Sequence, residues 1–284
     1  MTTSPNLPTP NARRPAVVLL HASASSSRQW DQLAQALSAS HDVQAIDLHG
    51  HGRREAWTDL RPLSLHDDAA LAMEALESRG GGHLVGHSYG GAVALYLAAK
   101  RPSLVHSLAV YEPVVFSLLA DKARASNGAR EAFAIAAGLH ALVGQGRPEL
   151  AGEVFVDYWS GPGTWRLMGQ ERQRAIANRM PTIVAHFDTL MNEPMPPALD
   201  QRLTMPVLVM HGTRTTTAAL TLAQLLRELL PAAAHEAMPG LGHMGPLADP
   251  ARVNARLLRF LQAQEPADLA SGQPARWTSP LAMA

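Results

Sequence analysis

The sequence predicts an α/β protein built on a doubly wound, mostly parallel sheet with an inserted block of helices. Three observations lead there. Short uninterrupted apolar runs, of the kind buried on both faces of a parallel sheet, recur through the first 113 residues and return after residue 205. They alternate with stretches whose apolar residues fall at helical spacing. Between residues 114 and 205 the helical pattern continues while the strand-like runs stop.

Residues 1–15 carry prolines at 5, 8, 10 and 15, which preclude helix and remove ladder donors, so a flexible arm is expected there. Ala16-Val17-Val18-Leu19-Leu20 reads as the first buried strand. It runs into His21-Ala22-Ser23-Ala24-Ser25-Ser26-Ser27, a loop of small residues that lets backbone approach a ligand, and then into a helix over 30–37. Val43-Gln44-Ala45-Ile46 is a second strand, closing on the turn-rich Asp47-Leu48-His49-Gly50-His51-Gly52. A helix over 65–78 lines up Leu65, Ala69, Ala72, Met73 and Leu76 on one stripe and stops at Gly80-Gly81-Gly82.

From His83 an apolar run turns sharply through Gly86-His87-Ser88-Tyr89-Gly90 and continues at helical spacing through Lys100. Residues 105–111 form another buried strand, ended by Glu112-Pro113. Within the insertion, helices are expected over 129–142 and 172–191, interrupted by Trp159-Ser160-Gly161-Pro162-Gly163-Thr164-Trp165. The sheet resumes at Pro206-Val207-Leu208-Val209-Met210, followed by His211-Gly212-Thr213-Arg214, a helix over 217–230 and a short strand over 234–238. A glycine-rich loop, Gly240-Leu241-Gly242-His243-Met244-Gly245, leads to a closing helix over 250–262. Residues 16–113 and 206–264 are therefore expected to form the core, 114–205 a helical insertion, and 265–284 a tail. That tail is low in apolar residues apart from Trp277 and Leu281, and is read as either mobile or docked on a neighbour, which leaves a homodimer open.

With 284 residues, 46% of them hydrophobic and 17% charged, the chain is long enough for one large core. A formal net charge of +0 supplies no field for nucleic acid or an anionic membrane surface, so neither is expected as a partner. The absence of cysteine removes disulfides, thiolate nucleophiles and Cys-ligated metals, and is compatible with a reducing cytoplasm. No signal-peptide-like apolar core precedes the first strand and no run approaches the length of a membrane span; a soluble cytoplasmic protein acting on a small-molecule substrate is expected.

A serine between two glycines, preceded by a strand and followed by a helix, has the form of a nucleophile elbow. The bland alternative is a glycine-rich turn with an incidental serine, and the flanking strand and helix favour the nucleophile, Ser88. A serine hydroxyl needs a base within hydrogen-bond reach and a third group that fixes the base's tautomer. Most of the 13 histidines should be structural. His243 stands apart because it follows the last strand, lies between glycines and satisfies the chain order of nucleophile, acid, base.

The acid is less usual. The turn after the strand ending at His211 reads Gly212-Thr213-Arg214-Thr215-Thr216-Thr217 and holds no carboxylate. Glu112, locked by Pro113 at the end of the preceding sheet strand, is the candidate acid. The competing reading makes it a salt-bridge or capping residue, with Ser88 and His243 a dyad helped by a threonine; Asp188 and Asp200 are further candidates. An oxyanion hole needs two N–H donors, for which Tyr89 and Ser23 are expected, with Ala22 as the neighbouring register. His21, His49, His51, His87 and His211 sit at loop edges but show no metal-ligand spacing, so no metal is expected. Trp159, Trp165, Phe187 and Met244 are candidate pocket residues, with Met168, Met191 and Met195 beside them, although those in the insertion are equally explained as its own core. No charged anchor for a substrate is evident, which points to an aryl or short-acyl ester.

Over about residues 16–264 the chain resembles the α/β-hydrolase family. The resemblance is carried by His21-Ala22-Ser23 through Trp30, Asp47-Leu48-His49-Gly50-His51-Gly52, Gly86-His87-Ser88-Tyr89-Gly90-Gly91, Tyr111-Glu112-Pro113 and Gly242-His243-Met244-Gly245-Pro246. It implies a helical cap over the active site, no cofactor, and hydrolysis of an ester, lactone, amide or related bond. Thr215 replaces the family's usual aspartate, Ala22 stands where glycine commonly follows the first histidine, and the two amino-terminal strands of the full family sheet are expected to be missing. A sub-group with Tyr-Glu-Pro and an acid-less later turn supports Glu112. The same triad could instead cleave a C–C bond or pass an acyl group to an alcohol or peroxide, and a hydrolase-like sensor with vestigial turnover is the reading from another class.

Overall fold

The computed structural model of the protein describes residues 14–264. The expectations for the tail, its docking and a homodimer, and for nearly all of the amino-terminal arm, lie outside the described residues. The chain runs β1 (Ala16–Leu20), α1 (Asp31–Leu37), β2 (Asp42–Ile46), α2 (Leu65–Glu77), β3 (Gly82–His87), α3 (Tyr89–Lys100) and β4 (Val105–Tyr111). Six helices follow: α4 (Phe116–Lys122), α5 (Asn127–Gly144), α6 (Pro148–Ser160), α7 (Thr164–Leu167), α8 (Gln170–Asn192) and α9 (Leu199–Arg202). The chain closes with β5 (Val207–Gly212), α10 (Thr217–Leu229), β6 (Ala234–Met238), α11 (Gly245–Ala248) and α12 (Pro250–Gln262).

The strands form one sheet in the order β2-β1-β3-β4-β5-β6, every neighbouring pair parallel. All residues of β1 and β3 are buried, as continuous apolar strands covered on both faces must be, whereas the edge strands β2 and β6 are mostly half-covered. One core lies on each face. On one, α2 and α3 pack with the helical insertion; on the other, α1 and α12 cover Val17, Leu19, Val85 and Leu208. The amphipathic spacing of α12 is explicit, with Val253, Leu257, Phe260 and Leu261 buried.

The strand order reverses between β1 and β3, so the loops after these two strands diverge and leave a crevice at the sheet's carboxyl edge. The helical insertion, which leaves at the end of β4 and returns at β5, is tied down beside this crevice. Thr189 Oγ1 donates to Leu63 O at 2.8 Å, Leu65 N–H donates to Glu193 Oε2 at 2.6 Å, and Ala218 N–H donates to Glu131 Oε1 at 3.1 Å. Helix α8 continues through Pro181, which removes one rung of its ladder. Among the described residues no helix is long and apolar enough to cross a membrane.

Candidate active site

Ser88 sits between β3 and α3 with φ 56° and ψ −120°, a conformation that an L-residue holds only when its surroundings enforce it. The enforcement is local. Ser88 N–H donates to Tyr111 O at 3.0 Å, and Ser88 O accepts from Ala92 N–H at 3.0 Å. The flanking glycines are required by crowding: a Cβ on Gly86 would lie 2.4 Å from Gly90 O, and one on Gly90 would lie 2.4 Å from His21 O.

The structure brings Ser88, His243 and Glu112 together from three loops. Ser88 Oγ lies 2.8 Å from His243 Nε2, and His243 Nδ1 lies 2.7 Å from Glu112 Oε2, all within the protein interior. A carboxylate only accepts, so His243 Nδ1–H donates to Glu112 and Nε2 is left to accept the serine proton. Glu112 is itself fixed: its N–H donates to Met210 O at 2.8 Å, Oε1 accepts from Gly212 N–H at 2.7 Å, and Oε2 accepts from Thr215 Oγ1 at 2.8 Å. Its φ of 42° is a second strained non-glycine position at the site. Trp159 lies over the imidazole of His243, with ring centroids 3.7 Å apart. Among the described residues neither Asp188 nor Asp200 hydrogen-bonds or ion-pairs with His243, whose ring nitrogens meet Glu112 and Ser88.

The loop after β1 is held by neutral imidazoles. His21 Nε2 accepts from Leu48 N–H at 3.1 Å and His51 Nε2 accepts from Ala24 N–H at 2.9 Å. Burial, reinforced by the neighbouring His51, brings the His21 pKa down to about 4, and burial also lowers that of His51, which keeps both rings able to accept. Ala22 N–H donates to Gln29 Oε1 at 3.1 Å, so the Ser23 N–H between these two pinned neighbours is left without a partner among the described residues. Tyr89 N–H, at the first position of α3, is likewise unpaired. The two N–H groups named from the sequence are thus both unpaired among the described residues, whereas that of Ala22 is taken by Gln29.

Behind the serine runs a relay that the sequence did not disclose. Gln29 Nε2 donates to His87 Nδ1 at 3.1 Å, and His87 Nε2–H donates to His243 O at 2.9 Å, which joins the loop after β1 to the loop carrying the base. Of the other loop-edge histidines, His49 Nδ1 bonds Asp68 Oδ1 at 2.8 Å, and among the described residues no group of three or more His, Asp or Glu side chains is placed to hold a metal ion.

A cavity of about 1470 Å³ opens above Ser88 and His243 between the core loops and the insertion. Trp159, Phe187, Met168 and Met244 line it. Trp165 does not: its ring is turned into the insertion, where it fills the space that a Cβ on Gly152 would need. Met191 and Met195 are also absent from the lining and belong to the packing of the insertion. No charged anchor is evident in the sequence, yet charged side chains reach this cavity. The guanidinium groups of Arg172, Arg179 and Arg214 have no hydrogen-bond or ion-pair partner among the described residues, and all three residues line the cavity, while its carboxylates are engaged. Asp157 accepts from Gly163 and Trp165 N–H, Glu131 accepts from Tyr158 Oη–H and Ala218 N–H, and Asp31 faces Arg28 at 3.8 Å.

Comparison with known proteins agrees with this architecture. The sequence profile described as "alpha/beta hydrolase fold" matches residues 15–250. A putative carbamate hydrolase, RutD of Pantoea ananatis, is 28% identical over 93% of this chain and 94% of its own length. Lipase LipV of Mycobacterium tuberculosis is 37% identical over a shorter stretch, 35% of this chain and 37% of that protein. Among solved structures, MGS-M2, an alpha/beta hydrolase enzyme from a Medee basin deep-sea metagenome library, superposes with a TM-score of 0.72 at 18% identity, covering 96% of this chain and 94% of its own.

Proposed function

The chain belongs to the alpha/beta hydrolase fold family, and on that premise we propose that it is a cofactor-free serine hydrolase acting on a small ester, lactone or related carbonyl substrate. The observation that carries this reading is the unbroken hydrogen-bonded line from Glu112 through His243 to Ser88, with distances of 2.7 and 2.8 Å.

In the proposed reaction the Ser88 oxygen attacks the carbonyl carbon as its proton passes to His243 Nε2, and the Glu112 carboxylate stabilises the resulting imidazolium. The unpaired N–H groups of Ser23 and Tyr89 receive the oxyanion, whose stabilisation is usually the largest single contribution to such a step. His243 then protonates the leaving group, and water, deprotonated by the same imidazole, releases the acid from Ser88. The helical insertion acts as the cap: Trp159 and Phe187 supply an apolar wall, and the partnerless arginines favour a substrate whose far end is anionic over one whose far end is cationic. RutD and LipV, by their names a putative carbamate hydrolase and a lipase, are consistent with acyl chemistry at this site.

The test is release of a chromogenic alcohol from short-acyl aryl esters by wild type and Ser88→Ala, with fluorophosphonate labelling of both. Steady turnover and labelling that both vanish in Ser88→Ala are expected. Labelling at another residue, or turnover that survives the substitution, would sink the mechanism. A single burst followed by a stall would point instead to a sensor.

A further inference from the structure

One buried side chain outside the triad touches both residues assigned as oxyanion donors. His186, on α8 of the insertion, is fully buried, and its Nδ1 lies 2.8 Å from Ser23 Oγ. The other face of the contact is Tyr89, whose ring lies parallel to the imidazole, with an interplanar angle of 2° and centroids 3.6 Å apart. His51, which pins Ala24 N–H, stacks on the same imidazole at 5.0 Å. Burial holds His186 neutral, so these are contacts of an uncharged ring.

Tyr89 cannot drift away from that ring. Its hydroxyl donates to Asp68 Oδ2 at 2.8 Å, and Asp68 in turn accepts from His49 N–H at 3.0 Å and faces His49 Nδ1 at 2.8 Å. Burial alone would raise the Asp68 pKa, but the hydrogen bonds from His49 and Tyr89 favour the charged form, and the carboxyl stays below its ordinary range. Tyr89 is therefore the fixed wall, and His186 is clamped between it and the loop after β1. The side chain of Ser23 has His186 as its hydrogen-bond partner, while its neighbours Ala22 and Ala24 are held through their N–H groups.

We infer that His186 is a positioning residue through which the helical insertion sets the spacing of the Ser23 and Tyr89 N–H groups, so that the oxyanion hole is complete only when α8 is seated. The inference rests on the serine-hydrolase reading above. Its physical basis is that donors act on developing charge only when preorganised about 3 Å from it, and a displacement of about 1 Å can cost about a hundredfold in rate. A ring held by one hydrogen bond and by stacking on Tyr89 and His51 fixes both translation and tilt of the loop that carries Ser23.

The test separates the bond from the stack. His186→Phe keeps an aromatic face for Tyr89 and removes the bond; His186→Asn keeps a polar atom near Nδ1 and removes the ring; Ser23→Ala removes the bond from the other side while leaving its own N–H in place. His186→Phe and Ser23→Ala are each expected to lower kcat for a chromogenic ester about tenfold or more, with KM changed less than about threefold. Both should weaken, by the same factor, binding of a trifluoromethyl ketone whose tetrahedral adduct places an oxygen in the hole. The double variant should lose no more than either single one, and His186→Asn should recover part of kcat. Wild-type kcat and wild-type ketone affinity in Ser23→Ala, a substitution in the half-buried loop, would overturn the inference even if the His186 variants failed to fold. So would lower thermal stability of His186→Phe with unchanged ketone affinity, which is what a merely structural role predicts. Wild type beside Ser88→Ala on the same ester shows separately whether the serine mechanism itself holds.

Discussion

Thr215 donates its hydroxyl to the Glu112 oxygen that also receives the imidazole N–H of His243, at 2.8 and 2.7 Å. The turn that lacks a carboxylate thus contributes a second donor to an acid that arrives from the neighbouring strand. Glu112→Gln replaces an acceptor with an amide that can favour the wrong His243 tautomer, and a fall in kcat of roughly a thousandfold to ten-thousandfold is expected. Thr215→Val should cost only about fivefold, since Gly212 N–H and His243 still hold the carboxylate. Glu112→Ala with Thr215→Asp should recover at least about tenfold over Glu112→Ala alone; no recovery would mean that the turn cannot present a carboxylate to His243.

The serine elbow should tolerate no side chain at its two glycines. Gly90→Ala brings a methyl group within 2.4 Å of the backbone oxygen of His21, and Gly86→Ala within the same distance of Gly90 O. Neither obstacle is the end of a flexible side chain, so each variant should lose at least about 3 kcal/mol, within the range of strained core substitutions. Urea unfolding measures this, and a loss under about 1 kcal/mol would contradict the crowding argument.

Acid should destabilise the fold well before its carboxylates titrate. His21 and His83 are buried, and burial first, then neighbouring histidines, lowers both from 6.5 to about 4. Between those values the unfolded chain binds protons that the folded one refuses, so stability is complete above pH 6.5 and is lost as pH falls toward 4. The loss is on the order of 3 kcal/mol for each histidine and levels off below that window for these two groups. Urea midpoints at pH 7.5, 6, 5 and 4 should trace the decline, and His83→Gln should make it shallower. A flat profile from pH 7.5 to 5 would count against the buried neutral rings.

Charge in the substrate should matter through Arg172, Arg179 and Arg214. An aryl ester ending in a free carboxylate should be turned over with roughly tenfold higher kcat/KM at low salt than its methyl-capped counterpart, an advantage that shrinks as ionic strength rises. In Arg172→Gln with Arg179→Gln the ratio between the two esters should fall toward one. Equal rates on both esters in wild type would remove these arginines from substrate selection.

Much of the fold was legible because buried parallel strands advertise themselves as unbroken apolar runs, and β1, β4 and β5 lie where such runs stand. Ser88 and His243 were legible for a related reason, since crowded turns require glycines that can be seen in the chain. Glu112 was reached by elimination. By contrast, the contact of His186 with Ser23 spans 163 positions and that of Gln29 with His87 spans 58, and a buried polar pair so far apart leaves no local pattern. Trp159 and Trp165 were indistinguishable for a similar reason. Both flank the same glycine-rich break, and only the turn made by Gly161 and Gly163 decides that one ring lies over His243 while the other is directed at Gly152.

Glu112 and Pro113 are also the dipeptide at which the polypeptide leaves the sheet for its helices. With its amide on Met210 and its carboxylate on Gly212, Glu112 anchors that departure through its side chain, whereas the return is held by backbone, Leu108 N–H donating to Pro206 O at 3.0 Å. Any swing of the helices during substrate entry therefore has to pivot beyond residue 113. A graft of a foreign helical block onto this scaffold would need to splice downstream of that point, or it would take Glu112 away from His243.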